Sequence, residues 1–356
     1  MKRIILVLTL LGCVVSASAK KWVDARDLAI HGYTQKSEKY PYYRFDCSKY
    51  NLTKTVKMLA EAPAGLYVAF KTNSSNIYAA WDIAPHKLRD NMPMIMQRGL
   101  DLYIKHDGEW RYVKATRPSV DASLTSYEKR IAKYLPEGEN EYILYLPGWC
   151  EIKSLKIGID DNATISGMPS PFRHKVIVYG SSITHGAAAS RAGMTYPARM
   201  SRNLGIEFTN FGFSGYCMMQ PEFLDFLKSC ETDAFLFDTF SNPSAEVIAE
   251  RLPNFVEELV KAHPGKPLIF MQSAAPVNDC IDAGTRAKRI KRFDTARELM
   301  QEIVKKYKDV YFLEILDVTG KDGSVDNTHP SDLGFDRFIK GYQPKIAKIL
   351  RKYGIK

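Results

Sequence analysis

Five short apolar runs in the second half of the chain constrain its fold more than any other feature. "KVIVYG" (175–180), "IEFTN" (206–210), "AFLFDT" (234–239), "PLIFMQ" (267–272) and "VYFLEI" (310–315) are each too short for a helix, and most are apolar without alternation. Strands buried on both faces read this way, and such strands belong to parallel sheets covered by helices. Between the last two runs, Ile290, Phe293, Ala296, Leu299, Met300, Ile303, Val304 and Tyr307 keep the three-and-four spacing of one helical face. Further helices are predicted over about residues 245–261 and across the C-terminal "SDLGFDRFIKGYQPKIAKILRKYG". Pro253 and Pro344 predict a kink or division in them, because proline lacks the N–H donor and crowds the preceding turn. The pattern predicts an α/β domain over 171–356, with five parallel strands between two helical layers in a flavodoxin-like, doubly wound arrangement.

Residues 20–170 follow a different rule. "GLYVAFKT" (65–72), "NIYAAWDI" (76–83), "LDLYIKHDGEWRYV" (100–113) and "EYILYLPG" (141–148) are short apolar or alternating runs separated by turn residues. Asp107-Gly108 between two such runs is a strong hairpin signal. Repeated strands without intervening helices predict an all-β sandwich or jelly roll. The boundary is expected in "GMPSPFRH" (167–174), where Gly167, Pro169 and Pro171 interrupt both patterns.

The first 19 residues carry Lys2 and Arg3, an apolar stretch from Ile4 to Val15, and Ala17-Ser18-Ala19 as an A-x-A cleavage site. This is the pattern of an export signal, predicting a secreted or periplasmic product. "LLGC" ending at Cys13 offers a lipid-anchored alternative, and no later stretch reaches the ~20 apolar residues of a bilayer span. Cleavage leaves Cys47, Cys150, Cys217, Cys230 and Cys280, an odd number, so at least one thiol stays free or pairs with another chain. No C-x-x-C pair suggests a zinc or redox site. The net charge of +10 is dispersed over amphipathic helices. The short "KRIKR" run (288–292) opens a helix and reads as a solvated face, so no nucleic-acid partner is expected.

In a doubly wound sheet, ligands bind beyond the carboxyl ends of the strands. There the chain places Ser181 and Ser182 after the first strand and Gly215 after the second. Asp238 and Asn242 follow the third, and Asp326 and His329 precede the last helix. Together these are the parts of acyl transfer. A serine hydroxyl needs a base, the base needs an acceptor that fixes its tautomer, and the oxyanion needs preorganised donors. Asp326 and His329 stand three apart in one turn, so a single loop can present both.

With these blocks in order, residues 175–356 resemble the SGNH (GDSL-like) hydrolase superfamily. "GSSIT" matches its first block with Ser182 as nucleophile, and "NFGFSG" the second with Gly215 as a backbone donor. "DTFSN" is a looser third block offering Asn242, and "DNTHP" the last, with Asp326 and His329. Gly99-Leu100-Asp101-Leu102-Tyr103 resembles the GxDLY signature of a β-rich domain found ahead of such esterases. The resemblance implies an exported serine esterase acting on small acyl esters of carbohydrate, acetyl above all, with no metal or organic cofactor. Ser182, His329 and Asp326 would form the triad, and the Ser182 N–H, Gly215 N–H and Asn242 side chain the oxyanion hole. The alternatives are a lipid or lysophospholipid esterase and a glycan-binding protein with an inactive hydrolase domain.

Other polar residues near these blocks read as structural. Ser181 is expected to bond within its own turn. His185 follows Ser182 by three residues but has no aspartate at triad spacing. Arg191 and Tyr196 are candidate substrate contacts outside the catalytic set, and Asp238 is expected to cap the next segment. Asp101, Tyr103, Trp81, Trp110 and Trp149 are expected to serve packing.

Overall fold

Residues 20–356 are described by a computed structural model, and the segment read as an export signal, with Cys13, lies outside the described residues. The first half contains strands β1 (Lys20–Asp24), β2 (Ala29–His31), β3 (Tyr67–Thr72), β4 (Ile77–Ile83) and β5 (Asp101–His106). It continues with β6 (Glu109–Ala115), β7 (Ser126–Ala132), β8 (Asn140–Tyr145), β9 (Ile152–Asp160) and β10 (Ile165–Gly167), besides helices α1 (Lys54–Glu61) and α2 (Met94–Arg98). All strand pairs here are antiparallel, in two sheets of order β1-β9-β4-β7 and β10-β3-β8-β5-β6, with β2 also on β3. The β5–β6 hairpin turns at Asp107-Gly108, as the sequence predicts.

Alternation along these strands feeds two cores. Val68 and Phe70 of β3, Leu102 and Ile104 of β5, and Tyr142 and Leu144 of β8 meet Ala79, Trp81, Leu155 and Ile157 of the facing sheet. The intervening residues of the same strands, Tyr67, Ala69, Tyr103, Ile143 and Tyr145, belong instead to the core of the second half. One sheet is therefore buried on both faces. Each buried tyrosine on the second face contributes on the order of 3 kcal/mol through the apolar area it removes from water.

The second half comprises β11 (Arg173–Gly180), α3 (Ser182–His185), α4 (Tyr196–Leu204), β12 (Ile206–Gly212), α5 (Pro221–Lys228) and β13 (Ala234–Asp238). It ends with α6 (Ala245–Ala262), β14 (Leu268–Met271), α7 (Ala283–Lys306), β15 (Val310–Leu313) and α8 (Asp332–Lys352). The sheet is wholly parallel, in order β12-β11-β13-β14-β15. This is the flavodoxin-like order, with the switch point beside β11. Helices α4 and α8 pack together, as do α5 with α6 and α6 with α7.

Three local expectations are corrected. Of the kink or division expected at Pro253 and Pro344, the division does not occur: α6 and α8 each run continuously through their proline. Leu252 and Phe255 flank Pro253 in the core, as Tyr342 and Ile346 flank Pro344, and that burial outweighs one missing backbone hydrogen bond. On α7 the predicted face holds from Phe293 to Tyr307, but Ile290 at its start is exposed and Arg289 takes the inward place. The "KRIKR" run is thus only partly a solvated face. Its Arg289 is buried and Arg292 half-buried, because this end of α7 leaves the core and walls a cleft. All five cysteines of the described residues are buried free thiols.

Candidate active site

Strand β11 ends at Gly180, where a Cβ would overlap the Thr184 hydroxyl, so only glycine lets the chain turn this tightly into α3. Ser181 caps α3, its hydroxyl oxygen accepting the Ile183 N–H at 3.1 Å. The same hydroxyl donates to Asp238 Oδ2 at 2.8 Å, and Thr184 Oγ1 donates to that oxygen at 3.1 Å. Asp238 is opposite Gly180 in the β11–β13 register and is fully buried. Burial pushes its carboxyl above the usual range, against the three hydroxyls of Ser181, Thr184 and Ser241 that pull it down. Asp238 therefore braces the turn after β11. It does not cap the next helix, a task that falls to Ser244.

Ser182 opens α3, leaving its N–H without an intrahelical acceptor. Its Oγ lies 2.8 Å from His329 Nε2, and His329 Nδ1 lies 2.7 Å from Asp326 Oδ2. The network assigns the tautomer, with Nδ1–H donating to the carboxylate and Nε2 accepting from the serine. Asp326 Oδ1 accepts the backbone N–H groups of Thr328 at 3.1 Å and His329 at 2.8 Å. Partial burial alone would raise the Asp326 carboxyl, but the His329 backbone N–H, the Asn91 amide and the imidazole outweigh it and hold it at about 2. The carboxylate is ionised throughout the neutral range.

Asn91 escaped the sequence reading. It comes from the first half of the chain, and its Nδ2 donates to Asp326 Oδ2 at 2.9 Å and lies 3.4 Å from His329 Nδ1. Nothing local in "RDNMPMI" signals a partner 235 residues away. Arg289 is a second such residue, tethering the same loop by donating to the Asn327 carbonyl at 2.7 Å and the Pro276 carbonyl at 2.6 Å.

Asn242 lines the cleft with Ser182. Its Oδ1 accepts the Cys217 N–H at 3.2 Å, leaving the Nδ2 donor uncommitted among the described residues. Gly215 takes a left-handed conformation (φ 77°) in the exposed loop after β12. It is not among the residues lining that cleft.

The other candidates lie elsewhere. His185 is fully buried, stacked on Trp149 with centroids 4.0 Å apart, and its Nε2 is 2.7 Å from the Gly148 carbonyl. Burial pushes its pKa well below the ordinary value, so it sits neutral in the interior. Tyr196 is buried with its hydroxyl 2.7 Å from Thr184 Oγ1. Arg191 binds Asp101 and donates to the Tyr103 hydroxyl at 2.5 Å. Asp101 and Tyr103 thus do more than pack within the β-sheets, since they clamp the loop after α3. Trp81 is buried and donates to the Arg98 carbonyl at 3.1 Å, and Trp110 packs against the core of the second half.

The cleft beside Ser182 has a volume of about 290 Å³. It is walled by Ser241 and Asn242 on one side and by Thr285, Lys288, Arg289 and Arg292 of α7 on the other. Among the described residues, no group of three or more His, Cys, Asp or Glu side chains is placed to hold a metal, and no helix is long and apolar enough to cross a membrane.

Both halves of the chain match known families. Residues 173–347 match the model of the GDSL-like lipase/acylhydrolase family, and residues 20–165 that of the N-terminal domain of SGNH-hydrolase-type esterases. A crystal structure from Bacteroides ovatus, assigned as a GDSL-like lipase, is 38% identical with a TM-score of 0.89, over 94% of this chain and 98% of that one. The chain belongs to the GDSL-like lipase/acylhydrolase family. Like other GDSL-like hydrolases it is a carboxylic ester hydrolase, an SGNH α/β/α domain behind antiparallel β-sheets. Two more distant structures share the fold. The salicylyl-acyltransferase of a tetracycline biosynthetic pathway is 19% identical with a TM-score of 0.71, over 93% of this chain and 97% of that one. A family two carbohydrate esterase from Cellvibrio japonicus is 13% identical with a TM-score of 0.62, over 94% and 98%. A comparison with curated proteins found no match for this GDSL-like hydrolase.

Proposed function

We propose that the protein is an exported serine esterase that removes small acyl groups, acetyl above all, from carbohydrate. The observation carrying this reading is the unbroken series from Ser182 Oγ through His329 to Asp326 at 2.8 and 2.7 Å, with Ser182 opening on the cleft beside Asn242. Ser182 Oγ attacks the ester carbonyl as its proton passes to His329 Nε2. The negative charge on the former carbonyl oxygen is met by the Ser182 N–H and Asn242 Nδ2, with the Gly215 N–H supplied from the adjoining loop that Asn242 already holds through Cys217. Collapse breaks the bond to the sugar oxygen, which takes the proton from His329, and leaves an acyl-serine. Water, deprotonated by the same imidazole, releases the carboxylic acid and restores Ser182. Asp326 stays ionised and stabilises the imidazolium. No step needs a metal or cofactor.

The division into an export signal (1–19), a β-domain (20–170) and a catalytic domain (171–356) belongs to the same reading. The carbohydrate esterase from Cellvibrio japonicus supports the substrate class by its fold. Ser241, Asn242, Thr285 and Lys288 in the cleft offer hydrogen-bonding groups to a sugar ring, whereas a lipid chain would need a long apolar groove. The test is acetate release from a panel of acetylated polysaccharides, with labelling by a serine-directed fluorophosphonate. Acetate release together with labelling supports the reading; absence of both sinks it.

Asn91 holds Asp326 in place, so Asn91→Ala is expected to lower kcat about 5-fold with little change in KM, the equivalent of roughly 1 kcal/mol for one hydrogen bond. Steady-state kinetics on 4-nitrophenyl acetate would show it. A kcat equal to that of the parent would mean that the contact does not support the imidazole.

A further inference from the structure

The wall of the cleft formed by α7 carries more positive charge than holding the fold together requires. Thr285, Lys288, Arg289 and Arg292 recur at i, i+3, i+4 and i+7, so one face of the first three turns of α7 lines the cleft with Ser182. No Asp or Glu is among the residues lining this cleft. The nearby acids are otherwise engaged: Asp282 caps α7 through the Thr285 N–H, Glu246 pairs with Lys291, and Asp326 holds His329. Arg289 and Arg292 spend their hydrogen bonds on neutral carbonyls, of Pro276 and Asn327 for Arg289 and of Ser241 for Arg292. Arg292 also keeps a buried Nε–H with no acceptor. Lys288 is exposed and has no carboxylate within ion-pair distance among the described residues.

Three cations on adjacent helical turns repel one another, at a few tenths of a kcal/mol for each pair. A cleft with low-dielectric walls concentrates their field on whatever occupies it. We propose that the cleft beside Ser182 recognises an ester carrying an anionic oxygen group, a carboxylate or sulfate, held by Lys288 and Arg292 of α7. The inference rests on the esterase reading and narrows its substrate to acidic glycans or acidic acyl groups. In either case the anion lies within one sugar ring or one short acyl chain of the scissile carbonyl, because Ser182 and these cations line the same 290 Å³ cleft.

The test compares matched neutral and anionic esters using the full chain. On the sugar side, acetylated oligogalacturonate is set against acetylated cello-oligosaccharide; on the acyl side, mono-4-nitrophenyl succinate against 4-nitrophenyl acetate. The expected result is a preference of about 10-fold or more in kcat/KM for the anionic member of one pair, which identifies the side bearing the charge. The preference should shrink as sodium chloride rises from about 20 to 500 mM. It should also shrink in Lys288→Gln and Arg292→Gln, through KM. Equal kcat/KM within both pairs, or a preference untouched by both variants, overturns the inference while leaving the esterase reading intact. Calorimetric binding of unacetylated oligogalacturonate to the Ser182→Ala protein reads the cleft without turnover and separates the two failures. If neither 4-nitrophenyl acetate nor any glycan ester is hydrolysed, the esterase reading fails. Charge-dependent binding that Lys288→Gln abolishes would still support the anion site.

Discussion

Ser182→Ala is expected to lower kcat on 4-nitrophenyl acetate by roughly 10⁴- to 10⁶-fold, the range seen when a triad serine is removed. The loss is large because the acyl-enzyme route disappears, leaving only the oxyanion donors and the bound geometry to help water attack. The fold should survive. Among the described residues, the Ser182 hydroxyl is hydrogen-bonded only to His329 Nε2, on a part-buried side of the cleft. The bonds that hold the turn belong to Ser181, through Ile183 and Asp238. Turnover of the ester and the urea unfolding midpoint, measured on the same preparation, separate the two effects. A variant with its midpoint preserved and most of its turnover intact would remove Ser182 from the mechanism.

The largest expected effect on stability lies away from the site. The Asp101 side chain is 1% exposed. Its two oxygens accept Arg191 Nη1 at 3.0 and 2.8 Å, and Oδ2 also accepts the Gly193 N–H at 2.8 Å. Asp101→Ala would strand a guanidinium that is 17% exposed and leave a buried N–H without its acceptor. Removing one partner of a buried ion pair costs about 3–5 kcal/mol, far more than the intact pair contributes. Asp101→Asn keeps one acceptor and should lose less. Denaturant unfolding of the three proteins should rank parent, Asp101→Asn, Asp101→Ala in falling midpoint. Equal midpoints would show that the GxDLY aspartate holds nothing together.

What could be read from the sequence was local or followed a regular period. The five parallel strands announced themselves because two-sided burial leaves unbroken apolar runs, and the β5–β6 hairpin because Asp107-Gly108 suits its turn. Ser182 was legible at the end of a strand and His329 in the loop before the last helix, and the structure brings them to 2.8 Å. What stayed hidden depends on contacts between distant segments. Asn91 meets Asp326, and Asp101 meets Arg191, with no trace in local periodicity. Arg44, also from the first half, is fully buried and donates to the carbonyls of Asn210 at 3.2 Å and Gly212 at 2.7 Å. A lone arginine between aromatic residues gives no hint that it will cap the end of β12. The basic run on α7 was the one feature open to a closer reading. Lys288 and Arg292 lie four apart with no acid three or four residues from either within α7, which a purely solvated face would be expected to supply.

The sheet shared by the two cores bears on how such a protein can be inherited. Tyr67, Tyr103 and Tyr145 floor the catalytic half, while their immediate neighbours in the same strands fill the sandwich. Exchanging the N-terminal half for that of a distant relative would have to match this floor, the Arg44 and Asp101 contacts, and Asn91 beside the loop of Asp326 and His329. Recombination at a point near residue 170 would therefore sever structure and chemistry together. The halves are expected to travel through evolution as a matched pair, each accumulating substitutions that only its own partner accommodates.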